Sequence, residues 1–299
     1  MVVGNSRSSL LVFLRKSDNP RNRSVFMLTK EQLQSYKHDG YLILPYFLNQ
    51  EEVREIKSEA TKICRGAYQI PGISKSDENE TDEQCLAKYL CIHMPHKVSP
   101  IMEKYVRHPK IAEALSELIS PNVKCMQSML FIKPPGFPGQ AYHQDERYIP
   151  TEDRSLTGVW MAIDEATIRN GCLWVIPGTH KDALYSWAPH DNPEYDGADE
   201  TQDIPRSKEI PVEIPSGGAV FFNGFLLHSS LKNRSSIYRR VLVNHYMSAE
   251  SCLPWQGRED FRDIIIVSGT DPHSDKGYED ISHPHLRTLR REKQRVIRQ

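Results

Sequence analysis

The chain has 299 residues, of which 38% are hydrophobic and 26% are charged, and its formal net charge is −1. This length fits one large domain or two ordinary ones, with enough apolar residues to build a core. No stretch approaches the roughly 20 consecutive apolar residues that a membrane-spanning helix needs, so we expect no membrane span. The near-zero charge argues neither for nor against a nucleic-acid partner, and we expect none.

The first 26 residues differ in composition from the rest. They contain five basic residues against one acidic residue, together with several serines. Such a start resembles a mitochondrial transit peptide, although a disordered extension ahead of Met27 is the favoured interpretation. The six cysteines are scattered without any CxxC pair, which indicates free thiols in a reducing compartment. We therefore expect a cytoplasmic location, with a mitochondrial one as the alternative.

Helical signals come first along the chain. Thr29 starts one helix and Gly40 ends it, Asn49 is a plausible N-cap of a second, and residues 109–119 form a third. A strand over residues 40–45 lies between the first two helices. Residues 71–84, rich in serine and acidic residues, predict a loop.

From Val123 onward, the periodicity predicts β-structure. Glycine, proline and asparagine turns separate short segments rich in branched and aromatic residues, at 123–132, 157–163, 172–176, 212–214, 219–222 and 241–246. Many short strands with such turns favour a mainly β fold with flanking α-helices, a jelly roll or cupin-like double-stranded β-helix. The polar residues 189–206 would be an insertion that could cover the site.

One catalytic domain is expected over residues 27–260. Residues 1–26 form the extension described above. Residues 261–299 form a C-terminal tail, whose last 14 residues, 286–299, carry a basic helix. We expect a monomer.

His143, Asp145 and His228 are the most informative residues. Side chains two positions apart lie on the same face of an extended segment, so His143 and Asp145 can bind one metal ion. His228, which follows a later apolar strand, would complete a 2-His-1-carboxylate triad, typical of non-haem Fe(II) oxygenases. Arg239 could hold the far carboxylate of a chelating 2-oxo acid.

Several longer motifs carry a family resemblance. They are His143-Gln144-Asp145, the stretch from Asn170 to Lys181 (NGCLWVIPGTHK), His228-Ser229-Ser230, Asn233 and Arg239. Together they resemble the phytanoyl-CoA dioxygenase family of Fe(II)- and 2-oxoglutarate-dependent oxygenases over about residues 30 to 250. The resemblance implies iron ligation by His143, Asp145 and His228, and co-substrate contacts from Arg239, Ser230, Trp160 and Met129.

One position departs from the family pattern. Some relatives have a lysine before the triad that contacts the co-substrate, and this chain has Leu90 there, with Tyr89 and His93 nearby. His93 or Tyr89 could replace that lysine. Arg240 is a rival to Arg239, but the spacing from His228 favours Arg239.

The resemblance implies a dioxygenase that uses Fe(II), 2-oxoglutarate and O2 to hydroxylate a small organic substrate, releasing succinate and CO2. Asp145 favours hydroxylation, because halogenating relatives have a small residue at that position. The alternatives are a non-catalytic metal- or ligand-binding protein on the same fold and a cupin-type oxygenase that needs no 2-oxo acid. The candidate substrate contacts are Tyr142, Arg147, Tyr148 and His93. The sequence does not identify the substrate, nor does it decide whether an acyl-CoA is used.

Overall fold

A computed structural model describes residues 26–196, 199–251, 265–273 and 282–287 of the chain. In chain order its strands are β1 (Tyr41–Leu44), β2 (Cys91–His93), β3 (Val123–Lys133), β4 (Gly139–His143), β5 (Thr157–Ala162), β6 (Leu173–Val175), β7 (Trp187–Pro189), β8 (Tyr195–Asp196), β9 (Asp199–Thr201), β10 (Ile210–Val212), β11 (Ala219–Asn223), β12 (His228–Ser230), β13 (Arg239–Ser248), β14 (Ile265–Ser268) and β15 (His285–Leu286). The helices are α1 (Lys30–Asp39), α2 (Gln50–Cys64), α3 (Asp82–Leu86), α4 (Pro100–Val106) and α5 (Pro109–Leu118).

Two sheets form the jelly roll, and their strand pairs are antiparallel except for the parallel pairing of β4 with β8. The larger sheet has eight strands in the order β1-β11-β5-β13-β3-β2-β15, with β14 also paired to β3. The smaller sheet has the order β10-β6-β12-β4-β8, and β7 pairs with β9 beside it. Strands distant in sequence therefore become neighbours, which is how this fold gathers residues from many segments at one site.

The three predicted helices, α1, α2 and α5, begin where the sequence predicts, whereas α4 was not predicted and α3 begins at the end of the segment 71–84 expected to be a loop. The Thr29 side chain accepts from the Gln32 amide and starts α1, while Asn49 accepts from the amides of Glu51 and Glu52 and starts α2. Both are capping boxes, which satisfy amides that a helix start leaves unpaired. Gly40 ends α1 with φ of 83°, a conformation that glycine adopts without strain.

The larger sheet buries both of its faces. In β5, Val159 and Met161 pack in one hydrophobic cluster with the helices, whereas Trp160 and Ala162 pack in a second cluster with residues of the smaller sheet. Successive side chains of a strand point to opposite faces, so this alternation follows from the strand geometry. It explains why these strands read as nearly continuous apolar runs in the sequence.

The predicted strands are found with shifted ends. The segment expected at 212–214 begins earlier, at Ile210–Val212, because Ile214 makes only an isolated bridge to Ala166. The sequence missed β2, β4, β12 and the strands within the 189–206 insertion. These strands have two to five residues, too few to show a period.

Two segments beyond residue 260 belong to the larger sheet. Strand β14 pairs with β3, and β15 pairs with β2. The expected boundary at residue 260 therefore does not separate the domain from all of the tail. The N-terminal extension up to residue 25 and the basic helix after residue 287 lie outside the described residues. No helix in the described ranges is long and apolar enough to cross a membrane.

Candidate metal centre

His143, Asp145 and His228 meet at one point between the sheets. Strand β12 pairs with β4 so that His228 lies directly opposite His143, and their ring centroids are 4.1 Å apart. The candidate ligand atoms of the three side chains lie within 4.8 Å of one another, and all three residues are buried. Asp145 Oδ1 is 3.5 Å from His143 Nε2 and 3.7 Å from His228 Nε2.

Backbone carbonyls orient both histidines. Nδ1 of His143 donates to the carbonyl of Ala141 at 2.8 Å, and Nδ1 of His228 donates to the carbonyl of Leu226 at 2.9 Å. With the proton on Nδ1, each ring presents an Nε2 lone pair that can bind a metal, and at His143 the side-chain amide of Gln140 lies 3.1 Å from this nitrogen. Burial, followed by the nearby His228, lowers the pKa of His143 to about 3, so its ring is neutral at neutral pH. Neutral imidazole is the form that binds metal.

His245 fixes the carboxylate. Its Nε2 is 2.8 Å from Asp145 Oδ2, and its Nδ1 is 3.1 Å from the side-chain amide of Gln127. The Gln127 amide donates to Nδ1 of His245. The ring proton of His245 is therefore on Nε2, which donates to Asp145 Oδ2. Burial pushes the pKa of Asp145 upward, but His228 and His245 outweigh it and hold that pKa below its usual value. The sequence indicates only a core histidine at position 245, because nothing in a strand pattern shows which residue it faces.

The side chain between the two motif residues points elsewhere. Gln144 donates to the carbonyl of Phe225 at 2.8 Å and accepts from the amide of Tyr185 at 2.8 Å. This alternation places His143 and Asp145 together on the metal side. Two imidazoles and one carboxylate, grouped beside one cavity, are a donor set that fits Fe(II).

An inner cavity beside the triad holds the predicted co-substrate residues. Its wall includes Arg239, Ser230, Trp160 and Met129 together with Leu90. Arg239 is only 3% exposed, its Nε has no hydrogen-bond partner, and its guanidinium carbon lies 5.5 Å from the centroid of the Trp160 ring. Burial lowers the pKa of Arg239 to about 10, so it stays charged. A buried guanidinium without a described carboxylate partner is a site for an anion.

Arg240, the rival, is engaged outside this cavity. It binds the carboxylate of Asp164 with both Nε, at 2.7 Å, and Nη2, at 2.9 Å. Lys57 also reaches Asp164, at 2.9 Å. Arg240 is therefore a structural residue, and Arg239 is the arginine that faces the cavity.

Lys133 is a second buried cation that the sequence reading missed. It lies opposite Arg239 in the pairing of β13 with β3, and its Nζ contacts Ser230 Oγ at 3.1 Å and the carbonyl of Leu231 at 2.7 Å. Burial, with a further contribution from Arg239, holds the pKa of Lys133 well below its usual value. The cavity therefore has a lysine from β3, although Leu90 occupies the position where some relatives have one.

The candidate substrate contacts separate into three groups. Tyr148 and His93 line an outer cavity that also includes His143, Asp145 and Arg287. Arg147 does not line it, because its guanidinium binds Asp199 at 3.0 Å and stacks on Trp187 at 3.5 Å. Tyr142 faces away, packing with Ile176 and Leu227 while its hydroxyl donates to Glu209 at 2.9 Å.

Comparison with known proteins decides the family. The family model described as "Phytanoyl-CoA dioxygenase (PhyH)" matches residues 36–241, more than half of the chain. The chain belongs to the phytanoyl-CoA dioxygenase family. A relative from Oryza sativa subsp. japonica, phytanoyl-CoA dioxygenase 1, is 32% identical over 257 residues, covering 75% of this chain and 91% of the relative. The peroxisomal phytanoyl-CoA dioxygenase of Mus musculus is 28% identical, covering 77% of this chain and 72% of the relative.

Solved structures show the same fold. The non-heme monooxygenase ThoJ has a TM-score of 0.65 at 21% identity, with 80% of this chain and 84% of that chain covered. The alpha ketoglutarate dependent carbocyclase SnoK from nogalamycin biosynthesis has a TM-score of 0.61 at 19% identity, covering 80% and 96%. The jelly-roll prediction is confirmed. With the family and the triad, the chain is an Fe(II)- and 2-oxoglutarate-dependent dioxygenase.

Proposed function

We propose that His143, Asp145 and His228 hold Fe(II) and that the protein uses it to hydroxylate a small organic substrate. The observation that carries this proposal is the convergence of three buried ligand atoms beside a buried arginine that has no described anionic partner. When bound, Fe(II) with 2-oxoglutarate and O2 supplies the oxidant that converts a substrate C–H bond to C–OH, with release of succinate and CO2.

The inner cavity fits 2-oxoglutarate by charge. Its wall includes Arg239, Lys133 and the Ser230 hydroxyl, which is 3.1 Å from Lys133 Nζ, and these groups would bind the distal carboxylate. Trp160, Leu173 and Val243 supply an apolar wall for the methylene groups. The triad lines the same cavity, so the keto-acid group would reach the ion there.

The protein contributes positioning and a buried arginine. Carbonyls of Ala141 and Leu226 hold the two rings, and His245 holds the carboxylate, so the ligand set is formed before the metal arrives. Arg239 is only 3% exposed, and burial strengthens the attraction between its guanidinium and an anion.

An anaerobic titration with Fe(II) and 2-oxoglutarate tests the proposal. We expect a visible charge-transfer band from the chelated complex and Fe(II)-dependent formation of succinate in air. His143→Ala and Asp145→Ala should lose both signals. A protein that binds iron without the band would be a metalloprotein of another kind, and one that binds no iron would be a non-catalytic binding protein.

Arg239→Gln tests the carboxylate site, with its neighbour as the matched control. Removing one partner of a buried charge pair costs about 2–5 kcal/mol, so we expect the Kd for 2-oxoglutarate to rise at least about 30-fold. Arg240→Gln should weaken folding through the loss of its bonds to Asp164, and leave the Kd unchanged. Equal effects of the two substitutions on the Kd would contradict the assignment.

We also propose that the protein acts as a monomer in the cytoplasm on a small molecule, without a nucleic-acid partner. The scattered cysteines support a reducing compartment, and the five described ones are buried. The near-zero net charge gives no electrostatic support for nucleic-acid binding. A mitochondrial location is the alternative that the basic start of the chain leaves open. Sedimentation of the full chain tests whether it is a monomer, and imaging of the full chain tests its location.

A further inference from the structure

The outer cavity borders two residues of the metal triad. Its volume is about 450 Å³, and its wall includes His143 and Asp145. It shares these two residues, Gln140 and Arg287 with the inner cavity, so the two are continuous. A molecule in the outer cavity therefore lies next to the position where the oxidant forms, and this cavity is the substrate site of the proposed reaction.

The wall of the outer cavity carries several polar groups within an otherwise apolar surface. It includes the amides of Gln127 and Gln140, the carboxylates of Asp196 and Asp199 and the hydroxyl of Tyr148, together with Met129, Ala141 and Ile149. A few placed polar groups in an apolar lining are typical of sites that orient a ligand through its own polar groups.

Arg287 supplies the free positive edge of this wall. It follows β15, and its backbone amide donates to the carbonyl of Cys91 at 3.0 Å, which ties this part of the chain to the end of β2. Its Nε lies 3.1 Å from Asp196 Oδ2, and the side chain is 23% exposed against 4% for Asp196. Among the described residues, none binds its terminal Nη groups, so one edge of the guanidinium is held and the other lines the cavity.

The other nearby arginine is already occupied. Arg147 is held between the Asp199 carboxylate and the face of Trp187 and does not line the cavity. Within the described residues, Arg287 is therefore the arginine that both faces the outer cavity and has donors to spare. A guanidinium edge binds a planar anionic group with two parallel hydrogen bonds.

We propose that the substrate is a small polar molecule with an anionic group, and that Arg287 binds this group while Asp196 holds the guanidinium in place. The proposal rests on the proposed function, because it assigns the substrate of that same metal site. The anion lies in the cavity that contains His143 and Asp145, close to the carbon that reacts. In an acyl-CoA the phosphates are separated from the acyl carbons by the whole pantetheine arm, so a CoA phosphate does not fit this position.

The test measures binding to the protein loaded with Fe(II) and 2-oxoglutarate under nitrogen. The probes are short-chain carboxylates, their primary amides as neutral matches, and palmitoyl-CoA, each added while the charge-transfer band is followed. We expect the carboxylates to perturb the band with Kd values at least about tenfold lower than those of the amides, the ratio that 1.4 kcal/mol produces. Arg287→Gln should remove this preference, and Arg287→Lys should keep part of it.

The control variant is Arg65→Gln, which removes an arginine that pairs with Asp82 away from both cavities. Arg65→Gln should show the same Kd values for carboxylates and amides as the unchanged protein. The proposal would be overturned if carboxylates and amides bound equally well, or if neither bound. Tight binding of palmitoyl-CoA that persists in Arg287→Gln would also overturn it. A large loss of 2-oxoglutarate affinity in Arg287→Gln would also overturn it, by placing Arg287 in the co-substrate site. Absence of the band in the unchanged protein would instead contradict the proposed function itself.

Discussion

Two basic residues face one another across neighbouring strands in the wall of the inner cavity. Arg239 and Lys133 are direct partners in the β13–β3 pairing, and both are buried. Burial and the neighbouring Arg239 disfavour the charged form of Lys133 in the free protein. The arrangement is explained if an anion binds between them, because a carboxylate stabilises the charged form of both side chains.

Lys133 makes 2-oxoglutarate binding depend on pH. Its pKa is held well below the usual value in the free protein by burial and then by Arg239, and a bound dianion raises that pKa again. Binding of 2-oxoglutarate should therefore take up protons. The affinity for 2-oxoglutarate should fall as pH rises from the pKa of Lys133 in the free protein towards its higher pKa in the complex. Calorimetry in two buffers of different ionisation enthalpy measures this uptake.

Lys133→Met should weaken binding and abolish the proton uptake. Lys57→Met is the control, since Lys57 pairs with Asp164 outside the cavity and should leave both quantities unchanged. Proton uptake that persists in Lys133→Met would show that another group titrates.

His245 holds the carboxylate of Asp145, one of the three proposed metal ligands. Because partners that orient a metal ligand contribute about 10–100-fold to metal affinity, His245→Ala should weaken Fe(II) binding by that factor. His245→Gln can place an amide donor near Asp145 Oδ2 and should recover part of the affinity. Metal titration of the folded variants measures this, and equal losses in the alanine and glutamine variants would indicate a packing role instead.

At the level of elements, the pairing of β4 with β12 sets the distance between the two histidines. Gly139, at the start of β4, lies so close to β12 that an added Cβ would stand 1.8 Å from the carbonyl oxygen of Ser230. Glycine is needed here because the two backbones approach each other, since no side chain fits between them.

Gly139→Ala should push these strands apart and misalign His143 with His228. Overpacking of this kind costs about 1–3 kcal/mol, so we expect a lower free energy of unfolding and weaker Fe(II) binding. Gly136→Ala is the control, because a Cβ there meets nothing within 4 Å and only its φ of 80° is unfavourable. Denaturant unfolding and metal titration compare the two, and unchanged metal affinity in Gly139→Ala would show that the strands tolerate the shift.

For the whole molecule, ligand binding and stability should be linked. The folded protein collects three metal ligands and two cations that the unfolded chain disperses, so Fe(II) with 2-oxoglutarate binds the folded state selectively. At a ligand concentration of 100 times Kd, this adds about 2.7 kcal/mol to the free energy of unfolding. Thermal unfolding with and without both ligands should show the gain, and Asp145→Ala should lose it. An equal gain in that variant would mean that the stabilisation comes from another site.

The C-terminal part of the chain contributes one residue, Arg287, to the walls of both cavities. Strand β15 pairs with β2, and the neighbouring Arg287 reaches the wall of both cavities. In the sequence, Arg287 is one of many basic residues in a tail that reads as a solvated helix. Its place beside the metal centre depends on a two-residue strand, which carries no periodic signal of its own.

The sequence alone determined the family, the jelly-roll class, the starts of α1 and α2 and the metal triad. These features depend on short segments of the sequence: the capping residues, the period of the longer strands and the motifs whose spacing is fixed by the chemistry of the metal. The choice of Arg239 over Arg240 also followed from spacing, and the structure places Arg239 in the cavity and Arg240 on Asp164.

Only the tertiary structure decided which residues face one another across the site. The bond from His245 to Asp145, the pairing of Lys133 with Arg239 and the approach of Arg287 join residues far apart in the chain. The sequence also could not predict that Tyr142 is buried away from both cavities. Such relations depend on strand order and register, and a one-residue change of register would turn each of these side chains to the opposite face.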